Sequence, residues 1–214
     1  MGELILVRHG QANSEATDEE SYDRLSPLGH TQAAWLGEWF DQQGVTFDRV
    51  LSGSLRRHKE TSAGIGVDAP DIDPRLNELD YFNLSSAYEA TSGVPMPNGD
   101  GFATHAPRLM EAWHAAEIKG NETFAAFEDR VTSVFSEAAQ PGRKVLCVTS
   151  GGVIGMCVRH LLGLDPTRMA HVLLPIFNSS IHRVHVTAHG PLLAGFNAVP
   201  HLERDDRAHA RTHY

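Results

Sequence analysis

Apolar positions in this chain follow two rhythms. Short unbroken runs at "ELILVR" (3–8), "DRVLSG" (48–53) and "RKVLCVTS" (143–150) read as strands buried on both faces. "SSIHRVHVT" (179–187) alternates and reads as a half-buried strand, and "PLLAGFNAV" (191–199) as a last one. Between them the helical period takes over. "SPLGHTQAAWLGEWFDQQG" (26–44) puts Ala33, Leu36 and Phe40 on one face, with Ser26 as cap, Pro27 in the first turn and Gly44 at the stop. "SLRRHKETSAGIG" (54–66) predicts a helix directly after the second strand. "APRLMEAWHAAEIKG" (106–120) aligns Leu109, Trp113 and Ile118, and "ETFAAFEDRVTSVFSEAAQ" (122–140) aligns Phe124, Phe127, Val131, Val134 and Phe135. "GGVIGMCVRHLLGL" (151–164) predicts a helix beginning where the "TS" strand ends.

Alternation of strand and helix implies an α/β fold, a three-layer sandwich with a mostly parallel central sheet and helices on both faces. From Val67 the pattern breaks up around Pro70, Pro74, Pro95 and Pro97. A loop-rich insertion of this kind, about 67–106, is expected over an active site. No linker or internal repeat divides residues 1–214, so a single domain is expected.

Composition narrows the function. With 41% hydrophobic and 21% charged residues, the chain has ordinary globular composition. A net charge of −9 argues against nucleic acid as a partner, and an anionic substrate would need a local positive pocket. No apolar run is long enough to span a membrane. "MGELILVRHG" reads as neither a secretory leader nor a myristoylation signal. Cys147 and Cys157 sit in apolar sequence and read as reduced core thiols, which points to the cytoplasm. His201, His209 and His213 fall in a polar C-terminal tail, "PHLERDDRAHARTHY". No histidine pair has a convincing metal-ligand spacing, so neither a metal nor another cofactor is expected. A homodimer is compatible with all of this.

Ligands of open α/β sheets bind at the carboxyl ends of the strands. One such end carries Arg8-His9-Gly10, a second Arg56 and Arg57, a third "TSGG". Arg8, Arg57 and helix-start amides would form a phosphate cup. A neutral His9 in that cup could attack phosphorus, with a backbone carbonyl on its other ring nitrogen fixing the tautomer. The arginines would stabilise the equatorial oxygens, and Glu78 in "RLNELDYF" could protonate the leaving oxygen.

"LVRHG", "LSPLGHTQAAWLG", "VLSGSLRRHKETS", "RLNE", "VTSGGVIG" and "FNSSIHRV" together resemble the histidine phosphatase superfamily, the phosphoglycerate mutase-like proteins, over almost the whole chain. Their second and third blocks usually read "LTxxGxxQA" and "VxSSPLxRAxxTA". The resemblance implies His9 as phosphorylated nucleophile, Arg57 rather than Arg56 as phosphate ligand, Glu78 as proton donor, and no metal. Arg8, Gln11, Asn13, Ser150 and Gly151 would complete the phosphate contacts. The late block of the family usually reads "VSHGG", and Ser150 stands at its histidine. Loss of a charged ligand there is expected to cost about 1.5–3 kcal/mol of anion binding. Amides at Gly151 and Gly152 would offset part of it, and His105 and His182 are candidates to fill the space. The family also often reads "RHGxSxxN", whereas Glu15 stands at the asparagine and Asn13 comes two residues earlier. "YFNLSSAYEA" (81–90) replaces the mutases' "YGxxxG".

The resulting expectation is a phosphatase acting on small phosphorylated substrates. A weakened or inactive member that binds phosphorylated ligands or a partner is the alternative, and a phosphoglycerate mutase comes third. Specificity is expected from the insertion and the helix beginning near Pro107, with Tyr81, Phe82 and Tyr88 as lining candidates.

Overall fold

The computed structural model describes residues 1–13, 16, 18–97 and 101–213. Its six-stranded sheet consists of β1 (Gly2–Arg8), β2 (Arg49–Ser52), β3 (Asp71–Ile72), β4 (Lys144–Thr149), β5 (Ile181–Thr187) and β6 (Gly190–Ala198), in the order β3-β2-β4-β1-β5-β6. The pairs β3/β2, β2/β4 and β4/β1 are parallel, whereas β5 and β6 add an antiparallel edge.

Burial on both faces explains the unbroken apolar runs. Leu4, Leu6, Val145 and Cys147 face one core; Ile5, Val7, Leu146 and Val148 face the other. The second core is closed by α2 (Pro27–Gln42) and α3 (Arg56–Ile65), through Leu36, Phe40 and Ile65. The first takes α5 (Phe102–His114), α6 (Phe124–Ala138) and α7 (Gly151–Leu162), with Trp113, Phe127, Val131 and Met156 buried. Two further helices, α4 (Tyr81–Ser92) and α8 (Pro166–Leu173), and a single turn, α1 (Glu19–Tyr22), complete the chain in order. Ser26 caps α2 as expected, accepting from the Gly29 amide at 3.1 Å, and Pro27 opens the first turn. Cys147 and Cys157 are both free and buried, and burial pushes the Cys157 thiol up to about 12.

Three expectations need correction. The stretch from Val67 to Asp100 is not all loop: a 12-residue helix, α4, occupies Tyr81–Ser92, capped by Asp80. Only Leu84 and Ser85 of that helix are buried, so it has no apolar stripe to announce it. Helix α5 begins at Phe102, ahead of Pro107, which lies inside it. The C-terminal tail folds back in short 3₁₀ turns, burying His201 and Leu202, and the Asn178 amide donates to Thr212 O at 2.7 Å. Among the described residues no helix is long and apolar enough to cross a membrane.

The order of the strands positions the site. From β1 the chain passes over the place of β4 to reach β2; after β4 it passes over β1 to reach β5. The connections diverge where β1 and β4 lie side by side, and their carboxyl ends flank the resulting crevice.

Candidate active site

The crevice brings the expected strand ends together. Arg8 pairs with Thr149 in the β1/β4 register, and the His9 amide donates to Thr149 O at 2.9 Å. A cleft of about 410 Å³ opens here. Arg8, Arg57, Glu78, Gly151 and Gly152 give it a polar wall; Leu79, Tyr81, Phe82 and Phe102 give it an apolar one. The chain leaves β1 through a tight passage. A Cβ on Gly10 would come within 2.4 Å of Gly29 O, and one on Gly29 within 2.1 Å of Gln11 O.

His9 is buried. Its Nδ1 lies 2.7 Å from Gly10 O, and a carbonyl can only accept, so Nδ1 carries the hydrogen and Nε2 the lone pair. Burial, then Arg57 and Arg8, hold the imidazole well below its usual range. The ring is therefore neutral near pH 7 with one bare nitrogen. Tyr22 of α1 stands edge-on to it at 6.4 Å and to Phe82 at 6.3 Å.

Both arginines are fixed from behind. Arg8 Nη1 donates to Ile176 O and to His213 O, the latter at 2.7 Å. Arg57 is fully buried, and its Nη1 donates to Glu19 at 2.7 Å and Asp23 at 3.1 Å. Asp23 also accepts from the Arg56 and Arg57 amides, so it caps α3, whose own cap residue Leu55 cannot. Among the described residues, Arg8 Nε and Arg57 Nε and Nη2 are buried donors without a partner. Such orphans are costly in a native core and suit an anion. Arg56, by contrast, is exposed and pairs with Glu60.

Glu78 presents its carboxyl from the loop before α4. Its Oε2 accepts from the Gly152 amide at 2.9 Å, its Oε1 from the Leu79 amide at 3.0 Å. A Cβ at position 152 would lie 2.1 Å from Glu78 Oε1, so the close seat of this carboxyl depends on glycine.

Other expected residues divide. Gly151 and Asn13 line the cleft, and Asn13 Nδ2 donates to Ser21 O at 2.9 Å. Gln11 is engaged elsewhere: its Oε1 accepts from Ser26 Oγ at 2.7 Å, at the start of α2. Glu15 lies outside the described residues. Tyr81 and Phe82 line the cleft, while Tyr88 packs on His105. His105 bonds Tyr81 through Nδ1, and His182 bonds Ser180 Oγ and the Asn197 amide, so neither fills the space beside Ser150. That space holds His58 of α3, with Nε2 at 2.6 Å from Ser150 Oγ and its ring centre 5.7 Å from that of His9. Sequence reasoning missed His58. The available signal was the "RAxxTA" pattern, whose alanine falls on position 58.

A family model of the histidine phosphatase superfamily (branch 1) matches residues 4–199. The chain belongs to that superfamily. It is a phosphatase-class hydrolase with a phosphoglycerate mutase-like fold. Broad-specificity phosphatase YOR283W of Saccharomyces cerevisiae is 26% identical over 196 residues, covering 83% of this chain and 76% of that protein. A 2,3-bisphosphoglycerate-dependent phosphoglycerate mutase of Corynebacterium jeikeium is 27% identical, covering 81% and 80%. Among solved structures, a mutant phosphoserine phosphatase of Entamoeba histolytica bound to phosphoserine superposes with a TM-score of 0.68 at 21% identity, covering 94% of this chain and all of that one. A putative alpha-ribazole-5'-P phosphatase of Escherichia coli gives 0.64 at 22% identity, covering 92% and 98%. Among the described residues no cluster of His, Cys, Asp or Glu gathers to hold a metal ion.

Proposed function

We propose that this member of the histidine phosphatase superfamily hydrolyses small phosphomonoesters through a phosphohistidine on His9, with Glu78 as proton donor. The observation that carries the reading is a neutral His9, its Nδ1 hydrogen committed to Gly10 O at 2.7 Å, beside unpartnered guanidinium donors of Arg57 and Arg8. Nε2 attacks phosphorus in line, the bond to the ester oxygen breaks, and its electron pair takes the proton of the Glu78 carboxyl. The arginines and the Gly151 amide stabilise the equatorial oxygens in transit. Water then attacks the phosphohistidine and gives its proton to Glu78. The P–N bond breaks, releasing phosphate and restoring His9. No cofactor and no nucleic acid enter this scheme. Tyr81, Phe82 and Phe102 offer the leaving group an apolar, aromatic wall, which favours esters of flat or hydrophobic alcohols.

A second reading is binding of phosphorylated ligands without turnover, which the Glu19 carboxylate on Arg57 and serine at position 150 favour. Aryl phosphate turnover by wild type and His9→Ala, measured side by side, separates the two. The phosphatase reading expects turnover in the wild type and its loss in the variant. Equal rates overturn it, and phosphate binding with no turnover on a broad substrate panel favours the second reading.

A further inference from the structure

Gly53 just after β2, His58 of α3 and Ser150 between β4 and α7 interlock. His58 is fully buried, with Nε2 2.6 Å from Ser150 Oγ. Among the described residues its Nδ1 has no hydrogen-bond partner, and it faces Gly53, where a Cβ would lie 2.1 Å away. Only glycine at 53 and a small residue at 150 leave room for this imidazole.

The tautomer follows from the same contacts. A hydrogen on Nδ1 would be a buried donor with nothing to accept it, the rarer and costlier kind of orphan. A hydrogen on Nε2 leaves only a lone pair unsatisfied. His58 therefore donates from Nε2, Ser150 Oγ accepts, and the serine hydroxyl keeps its own hydrogen to give elsewhere. Burial, then Arg57, keep this imidazole neutral in the resting protein. Ser150 is the cap position of α7, next to Gly151 on the cleft wall and to Thr149, whose carbonyl holds the His9 amide.

We propose that His58 is a positioning residue that orients the Ser150 hydroxyl as a hydrogen-bond donor to the phosphoryl group, the pair acting as one unit in place of a single ligand from the β4 end. The inference rests on the phosphatase reading above and adds a residue to it. It also assigns the space beside Ser150 to α3.

The test is the affinity for inorganic phosphate by calorimetry, with kcat and KM on an aryl phosphate, for Ser150→Ala, His58→Ala, the double variant, His58→Gln and His58→Asn. Glutamine places an N–H near the position of Nε2; asparagine reaches only as far as Nδ1. Expected are about ten- to hundredfold losses of phosphate affinity for Ser150→Ala and His58→Ala. The double variant is expected to be no weaker than Ser150→Ala alone. His58→Gln should retain affinity, and His58→Asn should behave like His58→Ala. Should His58→Ala fail to fold, the glutamine–asparagine pair and Ser150→Ala, which removes one oxygen, still decide the matter. Losses that multiply in the double variant overturn the proposal. So do equal affinities of the glutamine and asparagine variants, or an unchanged affinity in Ser150→Ala. A wild type that neither binds phosphate nor turns over the ester overturns the phosphatase reading itself, and this inference with it.

Discussion

At Arg57, carboxylates compete with any incoming anion. Glu19 and Asp23 share its Nη1, and burial raises the Glu19 carboxyl above its usual range, a sign that its charge is held at a desolvation cost. Asp23 has a structural task as the cap of α3; among the described residues Glu19 has no second partner of that kind. Glu19→Gln should therefore tighten inorganic phosphate as a competitive inhibitor about three- to tenfold, by removing a negative charge a few ångströms from the phosphate. Weaker inhibition would instead make Glu19 a support that holds Arg57 in place. The gathering of His9, Arg57 and Glu78 at one crevice was legible in the sequence because each sits in a motif of the family. Glu19 was not, because a carboxylate on a four-residue turn carries no pattern. His58 was hidden for another reason: its meaning depends on Ser150, far away in sequence, as well as on nearby Gly53, both giving it room.

Elements were most legible where burial is double. The runs in β1 and β4 pack against helices on both faces, so no polar side interrupts them. Helix α4 went unread because its buried surface is small, although Asp80 caps it through the Asn83 amide at 2.9 Å. Helix α8 carries an equally local signal, Asp165 followed by Pro166. The loop bearing Glu78 is fixed by long-range contacts that no local pattern encodes. Arg130 of α6 donates to Arg75 O and Asn77 O, Thr149 Oγ1 donates to Leu76 O, and the Asn77 side chain ties back to Ser54. Glu78 thus rests on α6, β4 and the turn after β2 together.

Across the whole molecule, burial of histidines sets the response to pH. Burial holds His9, His58, His105, His182 and His201 below the usual imidazole range, the last two down to about 3. In the unfolded chain each takes up a proton near pH 6.5, whereas the folded chain resists. The unfolded state then binds more protons as pH falls from 6.5, so stability is lost on acidification and is full above that pH. His182 and His201, held down to about 3, each remove roughly 1.4 kcal/mol per pH unit well below pH 6.5. The urea midpoint should fall steadily from pH 7 to pH 5, before the carboxylates titrate; a constant midpoint would contradict this picture of the core. The divergent crossover at β1 and β4 makes the same core a platform, with His9 at its centre. The most direct test of that assignment is acid-labile phosphate on the protein. Enzyme quenched in base during turnover of a ³²P-labelled ester should retain label that is stable to alkali, lost in acid, mapped to His9 and absent from His9→Ala. Label on another residue, or turnover that persists undiminished in His9→Ala, would contradict the account.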